Sequence, residues 1–220
     1  MIKQIFLIKR RSDLSFEQFK KHYLEVHAPL VKNALPEIRR YVVNFALQRG
    51  KETLYDAITE LYWPDIETII KIAKSNPLSK VIAEDEKNFS ARLGHVLLTE
   101  EMIQKGAEED GTKLVKQIFL NTRKTDLSFE QFKKHYLEVH APLVKNAFPE
   151  LRKYVINFSL QRGKETLYDG VTFLYWPDIE TIKKVAKSSD PLNKAVAEDD
   201  KKFSEILFNV ILTEETIQKG

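Results

Sequence analysis

The chain has 220 residues, room for one or two ordinary domains, and its 43 % hydrophobic and 30 % charged residues exclude a disordered chain. The 35 basic and 32 acidic residues are interspersed, so the net charge of +3 forms no basic stripe for nucleic acid. Cysteine is absent, which excludes disulfides, thiolate metal sites, iron–sulfur clusters and a cysteine nucleophile, and no apolar run is long enough to span a bilayer.

Residues 2–8 are apolar and β-branched and read as a strand. The start MIKQIFLIKRR is therefore not a secretory signal, and a cytoplasmic location is expected. Asp13 or Ser15 caps a helix with Glu17 in its first turn. Phe16, Phe19, Tyr23, Val26, His27 and Leu30 recur at helical spacing and form its apolar face. Pro29 removes an amide donor and disfavours helix at Ala28, so a kink or break is expected beside His27; Pro36 ends the element. Residues 39–48 alternate, with Tyr41, Val43, Phe45 and Leu47 against Val42, Asn44, Ala46 and Gln48. Gly50 and Lys51 make a turn, and 54–63 is the second strand of a hairpin. Pro64 and Asp65 open a helix through Lys74. Pro77 starts another, with Leu78, Val81, Ile82, Asp85 and Phe89 on one face, and 93–99 is the last strand.

The next stretch, 106–113, is polar with Gly106 and Gly111 near its ends, a flexible tether. Beyond it the same unit returns. KQIFL at 3–7 recurs at 116–120, 13–34 recurs unchanged as 126–147, and YWPDIETI at 62–69 recurs at 175–182. The offset is 113, then 114 after one inserted residue near Asp190. Two copies cannot make a solenoid. The expected organisation is a domain at 1–106, a linker at 107–113 and a duplicate domain at 114–220.

Each copy reads β-α-β-β-α-β, the order of a ferredoxin-like antiparallel sheet with helices on one side. The other sheet face is also largely apolar and would stand bare on a lone copy. The expected fold class is therefore α+β, with two ferredoxin-like units that pair with each other and form an intramolecular dimeric α+β barrel.

The residues that follow carry a resemblance. Phe19-x-x-x-Tyr23-Leu-Glu-Val-His27-Ala-Pro-Leu30, Pro36-x-x-x-x-Tyr41-Val-x-Asn44, Tyr55-Asp56, Asp85-Glu86-x-x-Phe89 and Leu98-Thr-Glu-Glu101 resemble the EthD family of dimeric α+β barrels across almost the whole of each unit. The resemblance implies a small-molecule pocket between sheet and helices. Related barrels include polyketide cyclases, dehydratases, isomerases, cofactor-free monooxygenases and haem-degrading enzymes, so fold kinship alone does not choose the reaction.

Five histidines are present. His22 and His135 fall on the polar helix face beside Gln18 and Glu25 and are expected to be solvated. His27 and His140 sit on the apolar face, one turn after Tyr23 and Tyr136. Each is either a core histidine bonded to a carbonyl freed by the proline, or a general acid/base facing the pocket. Asp85 and Asp199 lie on the inner face of their helix, where an unpaired carboxylate is costly; they either orient the histidines or form a cap or salt bridge. Tyr23, Tyr136, Tyr41, Tyr154, Asn44 and Asn157 are candidate donors to a substrate oxygen, with core packing as the alternative. Asp56 and Asp169 read as turn or register residues. His22 and His27 are five apart, a spacing that does not put both on one face of an α-helix, and no metal site or cofactor is implied.

Against so much identity some differences between the copies stand out: Ile8 becomes Asn121, Glu60 becomes Phe173, Gly94 becomes Phe208 and His95 becomes Asn209. Either these mark surface drift, or the pockets have diverged and Glu60 and His95 are ligand contacts of the first copy. The expected function is an enzyme of lyase, cyclase, dehydratase or isomerase type, using His27 and His140 on a hydrophobic aromatic or polyketide-like molecule. The alternative is a non-catalytic binding protein that serves a partner oxygenase; haem binding and cofactor-free oxygenation rank below both.

Overall fold

A computed structural model describes residues 2–47, 53–75, 78–91, 95–106, 113–160, 167–205 and 210–220. Two units make up the chain: Met1–Glu100 with Glu214–Gly220, and Glu101–Thr213. The structural division thus does not follow simple chain order. The expected tether at 107–113 falls outside the described residues apart from Lys113, as do Gly50, Lys51 and Pro77.

Unit 1 contains β1 (Ile2–Ile8), α1 (Phe16–His22), a π-helical turn (Tyr23–His27), α2 (Ala28–Ala34), β2 (Arg40–Ala46), β3 (Ala57–Trp63), α3 (Ile66–Ser75), α4 (Leu78–Phe89) and the first part of β4 (His95–Lys105). Ser15 starts α1 with a capping box: its Oγ accepts from the Gln18 amide at 3.1 Å, and its own amide donates to Gln18 Oε1 at 2.7 Å. The sheet is antiparallel. Ile5 stands opposite both Glu60 on β3 and Leu97 on β4, and Asn44 on β2 stands opposite Ile58. The order β4-β1-β3-β2 is the ferredoxin-like one. Residues 214–220 complete the unit, where Arg40 Nη2 pairs with Glu215 Oε1 at 3.2 Å and Lys219 Nζ donates to the Pro36 carbonyl at 2.8 Å.

Unit 2 repeats this with β5 (Val115–Arg123), α5 (Phe129–His135), a second π-helical turn (Tyr136–His140), α6 (Ala141–Ala147), β6 (Lys153–Ser159), β7 (Gly170–Trp176), α7 (Ile179–Lys187), α8 (Pro191–Phe203), the short β8 (Ser204–Glu205) and the start of β9 (Val210–Lys219). Residues 101–106 belong here: Lys105 Nζ donates to the Pro149 carbonyl at 2.9 Å. Gly106 has φ +82°, and a Cβ there would lie 2.5 Å from the Arg152 carbonyl oxygen, so only glycine fits.

Strand alternation gives each sheet two different faces. Towards the helices of unit 1, Tyr41, Val43, Phe45, Leu61 and Trp63 join Phe19, Tyr23, Val31 and Phe89 in one core. Phe19 and Phe45 meet edge to face at 6.1 Å between centroids, and Tyr23 and Phe89 at 5.3 Å. The opposite face is buried too, but it is not simply apolar. Lys3 and Glu60 are both fully buried there and pair at 2.9 Å; Tyr62 donates to Glu60 Oε2 and Asn44 Nδ2 to Glu60 Oε1, each at 2.9 Å.

Three local expectations need correction. The helix does not break at Pro29. Instead the Ala28 amide bonds back to the Tyr23 carbonyl, a five-residue step that absorbs the missing proline donor in a π turn. Val81 is 46 % exposed and does not belong to the inner face of α4. The last strand of the first copy runs on to Lys105 rather than stopping at 99. Among the described residues no helix is long and apolar enough to cross a membrane.

Candidate functional site

The π turn has a direct chemical result. Widening the helix by one residue brings side chains five apart onto one side. His22 and His27 therefore both reach Asp85 on α4: His22 Nε2 lies 2.9 Å from Oδ1, and His27 Nδ1 lies 2.9 Å from Oδ2. Unit 2 repeats the arrangement, with His135 Nε2 at 3.1 Å and His140 Nδ1 at 3.1 Å from Asp199. Two expectations are overturned here. His22 and His135 are half-buried partners of the aspartate rather than solvated, and the spacing of five does place both histidines together. His27 and His140 are only 3 % and 4 % exposed. His27 is wedged against Tyr23 and Phe89, at 4.9 and 4.7 Å between ring centres.

In unit 2 the second ring nitrogen is also engaged: His140 Nε2 lies 3.3 Å from Asp200 Oδ1. Glu86 is the corresponding residue of α4 in the first copy. These two carboxyls are the site residues that the sequence reading missed. The signal was present, since an acid follows the inner aspartate in both copies, as Asp-Glu in one and Asp-Asp in the other.

Electrostatics separates the groups. Burial pushes the Asp200 carboxyl up to about 7, helped by the neighbouring Asp199 charge, although 43 % of the side chain still meets solvent. Glu86 is raised to about 7 for the same two reasons. Burial lowers His140 to about 4, against the opposing pull of Asp199, and lowers His27 in the same direction. Burial alone would raise Asp199 and Asp85, but the hydrogen bonds from their histidines prevail and hold both below the usual carboxylate value. In this balance the His140 Nδ1–H donates to ionised Asp199, while Nε2 is turned to the side on which Asp200 lies.

In unit 2 these groups face a cavity of about 400 Å³ between the sheet and its helices. Phe119, Phe148, Leu174 and Trp176 supply apolar wall; Asn121, Tyr136, His140, Tyr154 and Asp200 supply polar atoms. Asp199 lies behind His140, only 2 % exposed. Tyr136 Oη meets Thr172 Oγ1 at 2.6 Å, and Asn121 Nδ2 donates to the same Thr172 oxygen at 2.8 Å. In unit 1 Tyr23 and Thr59 keep the 2.6 Å contact, and Tyr41 donates to Tyr23 at 3.3 Å.

The structure thus brings together His27, Asp85, Tyr23 and Tyr41, and likewise His140, Asp199, Tyr136 and Tyr154. It does not bring in the rest. Asn44, Asn157 and Glu60 lie on the sheet face away from the helices, because they are one residue out of phase with Tyr41, Tyr154 and Thr59. His95 is exposed at the start of β4, opposite Leu7 on that same far face. The differences between copies accordingly do not gather at one pocket: Asn121 lines the cavity while Phe173 does not, and Gly94, Phe208 and Asn209 lie outside the described residues. Asp56 accepts from the Arg10 amide at 3.1 Å and pairs with Lys9 at 3.1 Å, in keeping with a register role. Among the described residues no group of three or more His, Asp or Glu is arranged to hold a metal ion.

Comparison with known proteins bears on the family and the fold. The family model for the EthD domain matches twice, at residues 11–92 and 124–206. Among solved structures, an anthrone oxidase-like protein superposes with a TM-score of 0.69 at 11 % identity, over 100 % of this chain and 93 % of its own. A chlorite dismutase variant from Candidatus Nitrospira defluvii gives 0.59 at 10 % identity, over 98 % and 90 %. An EthD family protein from Bacillus halodurans is 26 % identical over 46 % of this chain and 99 % of its own, with a TM-score of 0.39. Comparison with curated protein sequences gives no match. The fold is that of the dimeric α+β barrels, carried here as two similar halves of one chain.

Proposed function

This chain belongs to the EthD domain family, and from that premise we propose that it is an acid/base enzyme acting on an aromatic or polyketide-like small molecule held between sheet and helices. One observation carries the reading: His140 stands between Asp199 and Asp200 at the wall of a largely apolar cavity. Asp199 positions the ring and fixes its tautomer. Asp200, raised to about 7, populates both its acid and its base near neutrality, the condition under which a carboxyl exchanges protons best. As base it removes a proton from carbon next to a carbonyl, and the C–H electron pair moves towards the carbonyl oxygen. As acid it returns that proton to another carbon or to a departing hydroxyl, giving isomerisation or dehydration. Glu86, His27 and Asp85 take the same parts in unit 1. The structural likeness to an anthrone oxidase-like protein supports the choice of aromatic ketones as probes.

The test is deuterium uptake from solvent into 1-tetralone and anthrone, followed by NMR. Wild type is expected to accelerate exchange over buffer. Glu86→Gln with Asp200→Asn, and His27→Ala with His140→Ala, should each lower that rate by at least about a hundredfold. Binding of these ketones without any accelerated exchange would favour a second reading, a protein that only holds the molecule. That reading has its own observation: both ring nitrogens of His140 already have partners, as in a packed core histidine.

A further inference from the structure

The two tyrosines Tyr41 and Tyr154 are the same residue of the repeat, yet their hydroxyls differ. Tyr41 Oη donates to Tyr23 Oη at 3.3 Å. Tyr154 Oη lies beside Tyr136 but makes no hydrogen bond of acceptable geometry among the described residues, although Tyr154 is fully buried and lines the unit 2 cavity. An orphaned buried hydroxyl forfeits on the order of 1–3 kcal/mol of solvation, so such an atom is normally satisfied by something.

A second difference stands next to it. At Asn121 the first copy has Ile8. Asn121 Nδ2 fills an acceptor position on Thr172 Oγ1, which Ile8 cannot do for Thr59. With that position taken, the Thr172 hydroxyl proton is free to turn towards Tyr136 Oη, and the Tyr136 proton is then available to another acceptor. Both differences act in one direction: they leave the phenolic hydroxyls of two tyrosines that line the unit 2 cavity with hydrogen-bonding capacity to spare.

We propose that Tyr154, with Tyr136 and Asn121, forms an oxygen-binding subsite in the unit 2 cavity that takes the carbonyl or phenol oxygen of an aromatic ligand, and that unit 1 lacks it. The proposal rests on the ligand class inferred above, and it makes a separate claim about binding. It also orients the ligand: the oxygen sits on the tyrosines of the sheet side, and the apolar ring extends along Phe119 and Trp176.

The test compares binding of 1-tetralone with that of tetralin, the same skeleton without the oxygen, to the full chain by calorimetry. Wild type should prefer tetralone by about tenfold, the size expected for one satisfied buried hydrogen bond. Tyr154→Phe should remove most of that preference and leave tetralin binding unchanged. Asn121→Ile, which gives unit 2 the residue of unit 1, should reduce it in part with the thermal midpoint preserved. Tyr41→Phe, whose hydroxyl is engaged by Tyr23, should change it less than twofold. A preference that survives Tyr154→Phe, or that falls equally with Tyr41→Phe, overturns the subsite. Deuterium exchange is read independently: loss of exchange with the preference intact would sink the catalytic reading and leave the subsite standing.

Discussion

The two sheet faces of each copy have fared differently. On the helix side, His22, His27, Asp85 and Phe89 are matched one for one by His135, His140, Asp199 and Phe203 at nearly equal distances. On the far side the same register, Ile5 opposite Glu60 and Ile118 opposite Phe173, holds different chemistry. Lys3 pairs with Glu60 at 2.9 Å, whereas Lys116 lies over the rings of Phe173 and Tyr175 at 4.6 and 4.9 Å. A buried lysine thus has Glu60 beside it in one copy and lies over the faces of Phe173 and Tyr175 in the other. The backbone tolerates either solution, so what the helix side has in common is not imposed by the fold.

Breaking the ion pair gives the largest expected effect. Glu60→Ala withdraws a carboxylate from a fully buried lysine and should cost up to about 3–5 kcal/mol in denaturant unfolding. Glu60→Phe copies the second arrangement, and since Lys3 already lies 4.5 Å above the Tyr62 ring, it should recover more than half of that loss. Equal damage from both variants would mean that the two faces are not alternative solutions.

A smaller contrast concerns the asparagines. Asn44 Nδ2 serves both the Ile58 carbonyl at 2.8 Å and Glu60 at 2.9 Å, while Asn157 Nδ2 serves the Val171 carbonyl at 2.9 Å and its Oδ1 has no partner among the described residues. Asn44→Leu should therefore destabilise by about 1–2 kcal/mol more than Asn157→Leu, by thermal or chemical unfolding.

The smallest effect is a slope. Asp200 titrates higher in the folded protein than in the unfolded chain, so its contribution to stability is complete at low pH and is lost as pH rises through about 7. His140, lowered to about 4, works the other way: its cost to stability is present in acid and disappears as pH rises towards its ordinary value. The two slopes oppose each other in wild type. Asp200→Asn removes the falling one, so its thermal midpoint relative to wild type should climb between pH 5 and pH 8. A difference that stays flat over that range would show that Asp200 is not buried as a neutral acid.

Much of this was legible in the residues. Period-two alternation in 39–48 separates core from far face, and Tyr23, His27 and Asp85 fall together once the helical stripes are drawn. The same alternation, applied strictly, would have kept Asn44 out of the site, since it differs in parity from Tyr41. His22 was beyond such reading, because an α-helical wheel has no place for the extra residue of a π turn, and a proline by itself announces a break rather than a widening. Glu86 was hidden by the opposite error: one residue past an inner aspartate, it counts as outer face on the wheel, yet it is half-buried, enough for burial to raise its carboxyl. The long reach of β4 had no local signal at all, since 100–105 is mixed in polarity and takes its place in unit 2.

The make-up of unit 1 also sets a timetable. Its sheet is finished only by residues 214–220, which adjoin β2, so a ribosome must complete the whole second copy before the first can close. At ordinary synthesis speed that interval is on the order of ten seconds. During it the rim of β2 is without its neighbour while Tyr41, Val43 and Phe45 are already available to collapse with α1. The edge of β2 is thus the part of the first copy that waits longest for its partner during synthesis, and an unpaired edge is where strands misassociate.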